Sequence, residues 1–222
     1  MVISIDVFSD PVCPWCFIGK RRLEEALQAR PEIETEIRWH CFQLNPMMPR
    51  EGMSREDYLA LKFGNTDNAR KLYTNISGIG EQAGIPFRFD RILIIPNTVN
   101  AHRLIRLAGQ HGLHNEIVEQ LFIEYFLHGM DIGKTNNLIS LASSQGLNAS
   151  EIEAYLKSSE DFEAIKREDM RARQLGIQGV PFFIIDRQYA ISGAQEAEAF
   201  YPLFDLLVAE ALQSPRTRAL PS

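Results

Sequence analysis

Cysteine is scarce in this sequence: the 222 residues include three, and none follows Cys41. So small and odd a number excludes the disulfide-rich scaffolds of small secreted proteins. A chain of this length buries enough apolar surface to fold without disulfide bonds. Two of the three, Cys13 and Cys16, are separated by only two residues, and this spacing indicates catalysis or metal binding before a structural role.

The sequence also lacks long runs of one kind of residue. The net charge is −6, and no basic run is interleaved with aromatic residues, so we expect neither a nucleic-acid partner nor a membrane partner. No apolar stretch approaches the roughly 20 residues that cross a bilayer, and the N-terminal residues show no signal-peptide pattern. We therefore predict a cytoplasmic protein.

The first 42 residues alternate between strand and helix patterns. Apolar and polar residues alternate over residues 2–8 and again over residues 33–42, which predicts two strands. Between them, a helical apolar face begins after Cys13 and ends before Pro31. Pro14 stands where the first turn of a helix tolerates proline. The chain therefore opens with a strand, a helix and a strand.

The middle of the chain, from about residue 46 to residue 159, shows helical patterns and no strand patterns. Ser54 and Asp57 resemble a capping box at the start of one of these helices. Beyond this block the sequence predicts a helix, a hairpin that turns at residues 186–188, and a last amphipathic helix.

This order of elements predicts the α/β class and a thioredoxin-like fold with an inserted all-helical domain. The thioredoxin-like domain is discontinuous and covers residues 1–45 and 160–213. Residues 46–159 form the helical insertion domain. The polar, proline-containing residues 214–222 are expected to be a disordered tail.

The cysteine pair lies at the junction of the first strand and helix. A cysteine in the first turn of a helix is close to unpaired N–H groups and the positive end of the helix dipole, which favour thiolate over thiol. Cys13 is therefore placed to be nucleophilic. Cys16 can reach the sulfur of Cys13, so a mixed disulfide formed at Cys13 can be resolved within the protein.

Three other interpretations of the pair stay open. A zinc site could use Cys13, Cys16, His40 and Cys41, although adjacent residues of a strand point to opposite faces. A structural disulfide would stabilise little across so short a loop, and a reducing compartment opposes it. Incidental cysteines are disfavoured by their position between a strand and a helix. We expect no metal.

Two segments carry a resemblance to a known family. The segment Phe8-Ser9-Asp10-Pro11-Val12-Cys13-Pro14-Trp15-Cys16-Phe17-Ile18-Gly19 and the segment Gly179-Val180-Pro181-Phe182-Phe183 resemble the DsbA-like thioredoxin family, specifically its FrnE-like branch. The resemblance covers nearly the whole chain except the tail. Members of that branch carry a further cysteine pair near the C-terminus, which this chain lacks.

The resemblance implies a thiol-disulfide oxidoreductase or isomerase that acts on protein thiols or disulfides. Cys13 would attack and Cys16 would resolve, with Pro14 and Trp15 between them in the active-site loop. It also implies a cis peptide bond between Val180 and Pro181, packed against the cysteine pair. The expected redox centre is the Cys13–Cys16 disulfide itself, without a separate cofactor.

The segment around that proline is expected to bind substrate. Pro181 removes one N–H and would expose a backbone edge at Val180, where an extended substrate can add as a strand. Gly179 would allow the substrate to approach closely.

The alternative function is a glutathione-dependent isomerase or transferase acting on a small molecule. 2-Hydroxychromene-2-carboxylate isomerases and kappa-class glutathione transferases are similar in architecture, but they typically have serine in place of the first cysteine. Glutathione as a co-substrate and a homodimer are left open. A chaperone that uses the helical cleft without redox chemistry is a further alternative.

Three further residues have undecided roles. Cys41 could be a third redox thiol or a buried apolar residue, because it shares a face with Ile37 and Trp39. His102 could line the cleft or pack within the insertion. Asp6 could accept a proton from Cys16.

Overall fold

The computed structural model describes residues 2–64 and 66–213, so the expected disordered tail at 214–222 lies outside the described residues. The strands are β1 (Val2–Ser9), β2 (Glu34–Cys41), β3 (Met53–Ser54), β4 (Ile94–Ile95), β5 (Phe182–Ile185) and β6 (Tyr189–Ser192). The helices are α1 (Pro14–Gln28), α2 (Arg55–Phe63), α3 (Thr66–Gln82), α4 (Val99–Gln110), α5 (His114–Phe126), α6 (Thr135–Ser144), α7 (Ala149–Lys157), α8 (Phe162–Gln174) and α9 (Tyr201–Gln213). Short 3-10 turns occupy Phe89–Arg91 and Ala197–Ala199.

Four of the strands form the main sheet, in the order β2-β1-β5-β6. β1 pairs with β2 in parallel and with β5 antiparallel, and β5 and β6 form the expected hairpin. The apolar residues of β1 are buried because the alternating pattern turns Ile3, Ile5 and Val7 to the core. The predicted opening of strand, helix and strand is confirmed.

The region between β2 and α8 is mainly helical, as predicted, and Ser54 caps α2 by accepting the Asp57 N–H. The expectation that it contains no strands was wrong: β3 and β4 form a small antiparallel sheet. Each has two residues, too few for an alternating pattern to show in the sequence. In residues 2–64 and 66–213, no helix is long and apolar enough to cross a bilayer.

The core shows how α1 joins the two parts of the chain. Leu23 and Ala26, in the second half of α1, pack with residues of α9 on strands β1 and β5 of the sheet. Cys13, Cys16 and Phe17, at its start, belong to the larger apolar cluster of the helical region. The Phe17 ring stacks on Phe122 of α5, with centroids 5.0 Å apart. The cysteine pair therefore lies where the sheet meets the inserted helices, and the predicted domain boundaries stay a prediction.

Candidate active site

The N-terminus of α1 positions the cysteine pair. Cys13 is the N-cap residue, with extended backbone angles, and Pro14 follows at the first helical position. The Cys13 N–H donates to the Asp10 carbonyl (2.9 Å), and the Cys16 N–H donates to the Cys13 carbonyl (3.0 Å). A tight turn after β1 thus starts the helix at the first cysteine, as the sequence indicated.

Both thiols are free and almost fully buried, Cys13 with 3% and Cys16 with 1% of its surface exposed. Burial, and after it the hydrogen bond and charge of the Cys13 sulfur, raise the pKa of the Cys16 thiol well above its ordinary value. The Ser9 hydroxyl and the Asp10 backbone N–H oppose this shift. Cys16 is therefore held as a thiol until something removes its proton.

The loop before β5 closes over the first cysteine. The Val180–Pro181 peptide bond is cis, the conformation that the resemblance implied. The Cys13 thiol donates to the Val180 carbonyl oxygen, with 3.4 Å between sulfur and oxygen. Pro181 packs on α1 at Gly19, where a Cβ atom would come within 2.7 Å of the proline ring. The two segments that carry the family resemblance thus meet at Cys13.

A cavity of about 300 Å³ opens in front of Cys13. We call it the front cleft: Cys13, Pro14 and Trp15 line one side, Gly179 and Val180 another, and residues of the inserted helices complete it. The inserted helices contribute mainly apolar and aromatic side chains, including Tyr58, Tyr73, Tyr125 and Phe126, together with the cations Arg55 and Lys62.

The front cleft brings together five of the seven site residues expected from the sequence. Cys16 and Pro181 do not line it and lie behind their neighbours. A Cβ atom at Gly179 would meet no described atom within 4 Å. Packing within the protein therefore does not require glycine there, and the space it leaves is open.

A second cavity, of about 390 Å³, lies beside the turn that precedes the pair. We call it the back cavity: Ser9 and Pro11 line it together with residues 36–41 of β2, and α4, α5 and α8 complete it with His102, His114 and Glu168 among their side chains. Ser9 and Pro11 line the back cavity and residues 12–15 line the front cleft, so neighbouring residues of one segment reach both.

Cys41 and His40 lie in the wall of the back cavity. Cys41 is buried, and burial, followed by the charges of Asp10 and Glu168, raises the pKa of its thiol well above the ordinary value. The His40 ring nitrogens face carboxylates, Asp6 at 2.7 Å and Glu168 at 3.0 Å. Within the described part of the chain, no group of three or more His, Cys, Asp or Glu residues could hold a metal ion.

Asp6, the sequence candidate for a proton acceptor, therefore pairs with His40. A different carboxylate is found behind the cysteines: the Asp10 side chain is fully buried, and its Oδ1 atom lies 3.6 Å from Nε2 of His102. The one sequence signal of Asp10 is its position three residues before Cys13.

The fold and the paired cysteines at a helix N-terminus define the class of thioredoxin-fold proteins with a helical insertion. Residues 4–203 match the family described as DSBA-like thioredoxin domain. The chain belongs to this DsbA-like family, which supports an oxidoreductase in general terms.

Solved structures agree with this assignment. The probable DsbA oxidoreductase SCO1869 from Streptomyces coelicolor is 29% identical, with a TM-score of 0.84 over 99% of this chain and 94% of that one. A 2-hydroxychromene-2-carboxylate isomerase (16% identity, TM-score 0.68, 96% and 97% covered) shares the fold. So does the cytosolic disulfide reductase DsbM from Pseudomonas aeruginosa with GSH (18% identity, TM-score 0.65, 93% and 99% covered).

Proposed function

We propose that this chain is a dithiol-disulfide oxidoreductase or isomerase that uses Cys13 and Cys16 as its redox pair. The observation that carries the proposal is the position of Cys13: it caps α1, lines the front cleft, and touches the Val180 carbonyl with its sulfur. Cys16 lies one turn further along the same helix. Family membership supports the same chemistry.

The two thiols have different environments, which supports different roles. Cys13 is at the helix N-terminus, where N–H groups and the helix dipole stabilise a thiolate. It lines a cleft that a substrate disulfide can enter. Cys16 is buried behind it with a raised pKa, and it can attack only the sulfur of Cys13. Cys13 therefore attacks the substrate and Cys16 resolves the mixed disulfide.

The backbone beside Cys13 supports binding of an extended substrate. Within residues 2–64 and 66–213, the Val180 N–H forms no hydrogen bond with another protein group. Its carbonyl faces the Cys13 sulfur at the edge of the front cleft. A polypeptide strand could pair with this edge, while the space at Gly179 admits its backbone. We therefore propose that the substrates are protein thiols or disulfides, and that Gly179, Val180 and Pro181 bind them.

The test is the equilibrium reduction potential of the Cys13–Cys16 pair, titrated in glutathione buffers, with insulin reduction measured in parallel. We expect a reversible couple between about −270 and −120 mV, and no activity in Cys13→Ser. Cys41→Ser is the matched control, and it should keep both the reversible couple and the insulin-reducing activity. Absence of a reversible couple, or full activity in Cys13→Ser, would contradict the proposal.

A second candidate is a glutathione-dependent enzyme acting on a small molecule. The front cleft favours it: about 300 Å³ is at the lower end of small-ligand pockets, and Arg55 and Lys62 offer positive charge to an anionic thiol. Calorimetry with reduced glutathione on Cys13→Ser measures binding without redox chemistry. Tight binding together with no insulin reduction by the wild-type protein would favour this candidate over the first.

The proposed chemistry supports a proposal for the cellular location. Thiols that cycle between dithiol and disulfide suit a reducing compartment. DsbM, which shares the fold, is a cytosolic disulfide reductase. We therefore propose a cytoplasmic protein with glutathione as a partner that exchanges electrons with the pair.

A further inference from the structure

A third cavity, of about 860 Å³, lies on the face of the main sheet that α1 and α9 leave free. Ile3, Ile5 and Val7 of β1 pack on α1 and α9, so Asp6 and Phe8 lie on the opposite face. Helix α8 covers part of that face. We call the open space beside α8 the arginine groove, because five arginines line it: Arg38, Arg106, Arg167, Arg171 and Arg187.

One face of α8 forms a wall of the groove. The residues that line it recur at intervals of three or four, the spacing of a single helix face, and they are Ala164, Arg167, Glu168, Arg171 and the C-cap residue Leu175. The other face of α8 is buried. Arg167 and Arg171 are four residues apart, and like charges at this spacing destabilise a helix. The stability of α8 therefore does not explain why two arginines stand there.

The hairpin turn carries another of these arginines at an unfavourable backbone position. Asp186 and Arg187, between β5 and β6, have φ angles of 50° and 59°, in the left-handed region where hairpin turns favour asparagine and glycine. An arginine in this conformation costs free energy, yet the Arg187 side chain reaches the groove. The turn itself therefore does not require an arginine.

The protein neutralises only part of the positive charge in the groove. Arg38 pairs with Glu36, and Arg106 pairs with Asp161. The other three arginines form no ion pair with any residue in the ranges 2–64 and 66–213. Their guanidinium groups are therefore available to an external anion.

The acids of the groove do not neutralise these three arginines. Asp6 and Glu168 are the carboxylates in its lining, and each lies within hydrogen-bond distance of a ring nitrogen of His40. The net charge of the whole chain is −6, so the groove is a cationic region on an acidic protein. Such a local potential attracts anionic ligands.

The lining also indicates what kind of anion fits. Guanidinium groups bind carboxylate and phosphate oxygens through paired hydrogen bonds. The arginines lie on β2, α4, α8 and the hairpin turn, so a ligand that reaches them all carries several anionic groups along its length. An acidic polypeptide and a nucleic acid both meet this condition.

The apolar residues of the groove favour the polypeptide. Nucleotides stack their bases on exposed aromatic rings. Phe8, the one Phe, Tyr or Trp among the lining residues that the structure describes, is only 6% exposed. Ile184 and the more than half-exposed Leu175 instead offer aliphatic contacts. Carboxylates combined with aliphatic side chains are the chemistry of an acidic protein segment.

We propose that the arginine groove binds an acidic segment of a partner protein. Aspartate and glutamate side chains of the segment pair with Arg167, Arg171 and Arg187, and its aliphatic side chains contact Ile184 and Leu175. The front cleft stays open, because its lining and that of the groove share no residue. The inference goes beyond the proposed function, and its test requires no redox chemistry.

The experiment measures binding to the full chain by fluorescence anisotropy. The probe is a fluorescein-labelled peptide of four Glu-Glu-Leu repeats, and the matched peptide has glutamine in place of each glutamate. We expect the acidic peptide to bind about tenfold more tightly at low ionic strength, and added salt should weaken its binding. Arg167→Gln/Arg171→Gln should lose about tenfold in affinity, because two exposed ion pairs are removed.

Arg88→Gln/Arg91→Gln is the matched control, because it removes two positive charges from residues outside the lining of the groove. It should bind the acidic peptide like the wild type. Equal losses in the two double variants, or equal binding of the two peptides by the wild type, would overturn the inference. An oligothymidylate of equal charge that binds as tightly as the acidic peptide would also overturn it, because the groove would then bind any polyanion.

A measurement on the unaltered protein locates the bound peptide. Each leucine of the probe is replaced by photoleucine, and the crosslinked residues are identified by mass spectrometry after ultraviolet irradiation. We expect crosslinks in α8 and in the hairpin of β5 and β6. Crosslinks confined to other segments, such as the front cleft with its cations Arg55 and Lys62, would overturn the inference.

Discussion

The front cleft and the back cavity differ in chemistry although neighbouring residues of one segment line them, Ser9 and Pro11 the back cavity and residues 12–15 the front cleft. The front cleft has aromatic walls with two cations at Arg55 and Lys62. The back cavity contains histidines, acids and a serine hydroxyl. An apolar cleft binds and orients a ligand, whereas a polar, wettable cavity can exchange protons. Cys13 therefore faces the cavity that is suited to binding a ligand, whereas Cys16 lines neither cavity.

The strongest test of this comparison removes the thiol of the pair that does not line the front cleft. Cys16→Ser should still attack from the front cleft but should not resolve, so it accumulates a mixed disulfide at Cys13 and shows no measurable turnover. Intact-protein mass spectrometry after exposure to glutathione disulfide measures the adduct. Cys41→Ser, which changes the buried thiol in the back wall, should turn over normally. Normal turnover of Cys16→Ser would show that Cys16 is not the resolving thiol.

A second test changes the packing of Pro181, which follows two residues of the front cleft, on α1 at Gly19. Gly19→Ala places a methyl group against the Pro181 ring, where the Cβ would be 2.7 Å from Cγ. We expect a loss of about 2 kcal/mol in the free energy of unfolding, measured by urea denaturation.

Gly78→Ala is the matched control, because a Cβ there meets no described atom within 4 Å in the middle of α3. It should stabilise the protein by about 0.5–1 kcal/mol, since alanine favours helix over glycine. Equal effects of the two variants would mean that the close approach of α1 to Pro181 is not needed.

These features differ in how far the sequence could predict them. The strands, α1 and the cysteine pair depend on local patterns: alternation, helical period and the position of Pro14. β3 and β4 could not be predicted because two residues show no period. The pairing of Asp10 with His102 depends on how α4 packs behind the turn after β1, which no local pattern specifies. The alternation of β1 leaves the environment of Asp6 open, and its pairing with His40 depends on the parallel register of β1 and β2.

A third test concerns the charge of the front cleft. Arg55, whose guanidinium lies 4.9 Å from the Tyr73 ring centroid, lines the cleft. Arg55→Met should weaken the binding of glutathione disulfide to Cys13→Ser by about tenfold, or ~1.4 kcal/mol, and should reduce the salt dependence of binding.

The control for that test is Arg88→Met, which removes an exposed cation paired with Asp90 and outside the residues that line the cleft. It should bind as tightly as the parent protein. If both variants bind like the parent, the cleft does not recognise anions, and the proposal of protein substrates is favoured over the glutathione-dependent alternative.

The smallest expected effect concerns His40, in the wall of the back cavity, whose ring nitrogens face two carboxylates. Burial lowers the pKa of His40, but its hydrogen bonds to Glu168 and Asp6 outweigh burial and raise the pKa above the ordinary 6.5. Because the folded state holds the proton more tightly, this histidine contributes stability that is complete below pH 6.5. The contribution is lost as the pH rises through the higher pKa of the folded state.

His40→Gln should remove that part of the pH dependence of unfolding, measured by urea denaturation across the same range. A pH dependence of unfolding equal to that of the wild type would contradict this expectation. It would mean that the carboxylates of Asp6 and Glu168 do not hold the His40 proton more tightly in the folded state than in the unfolded state.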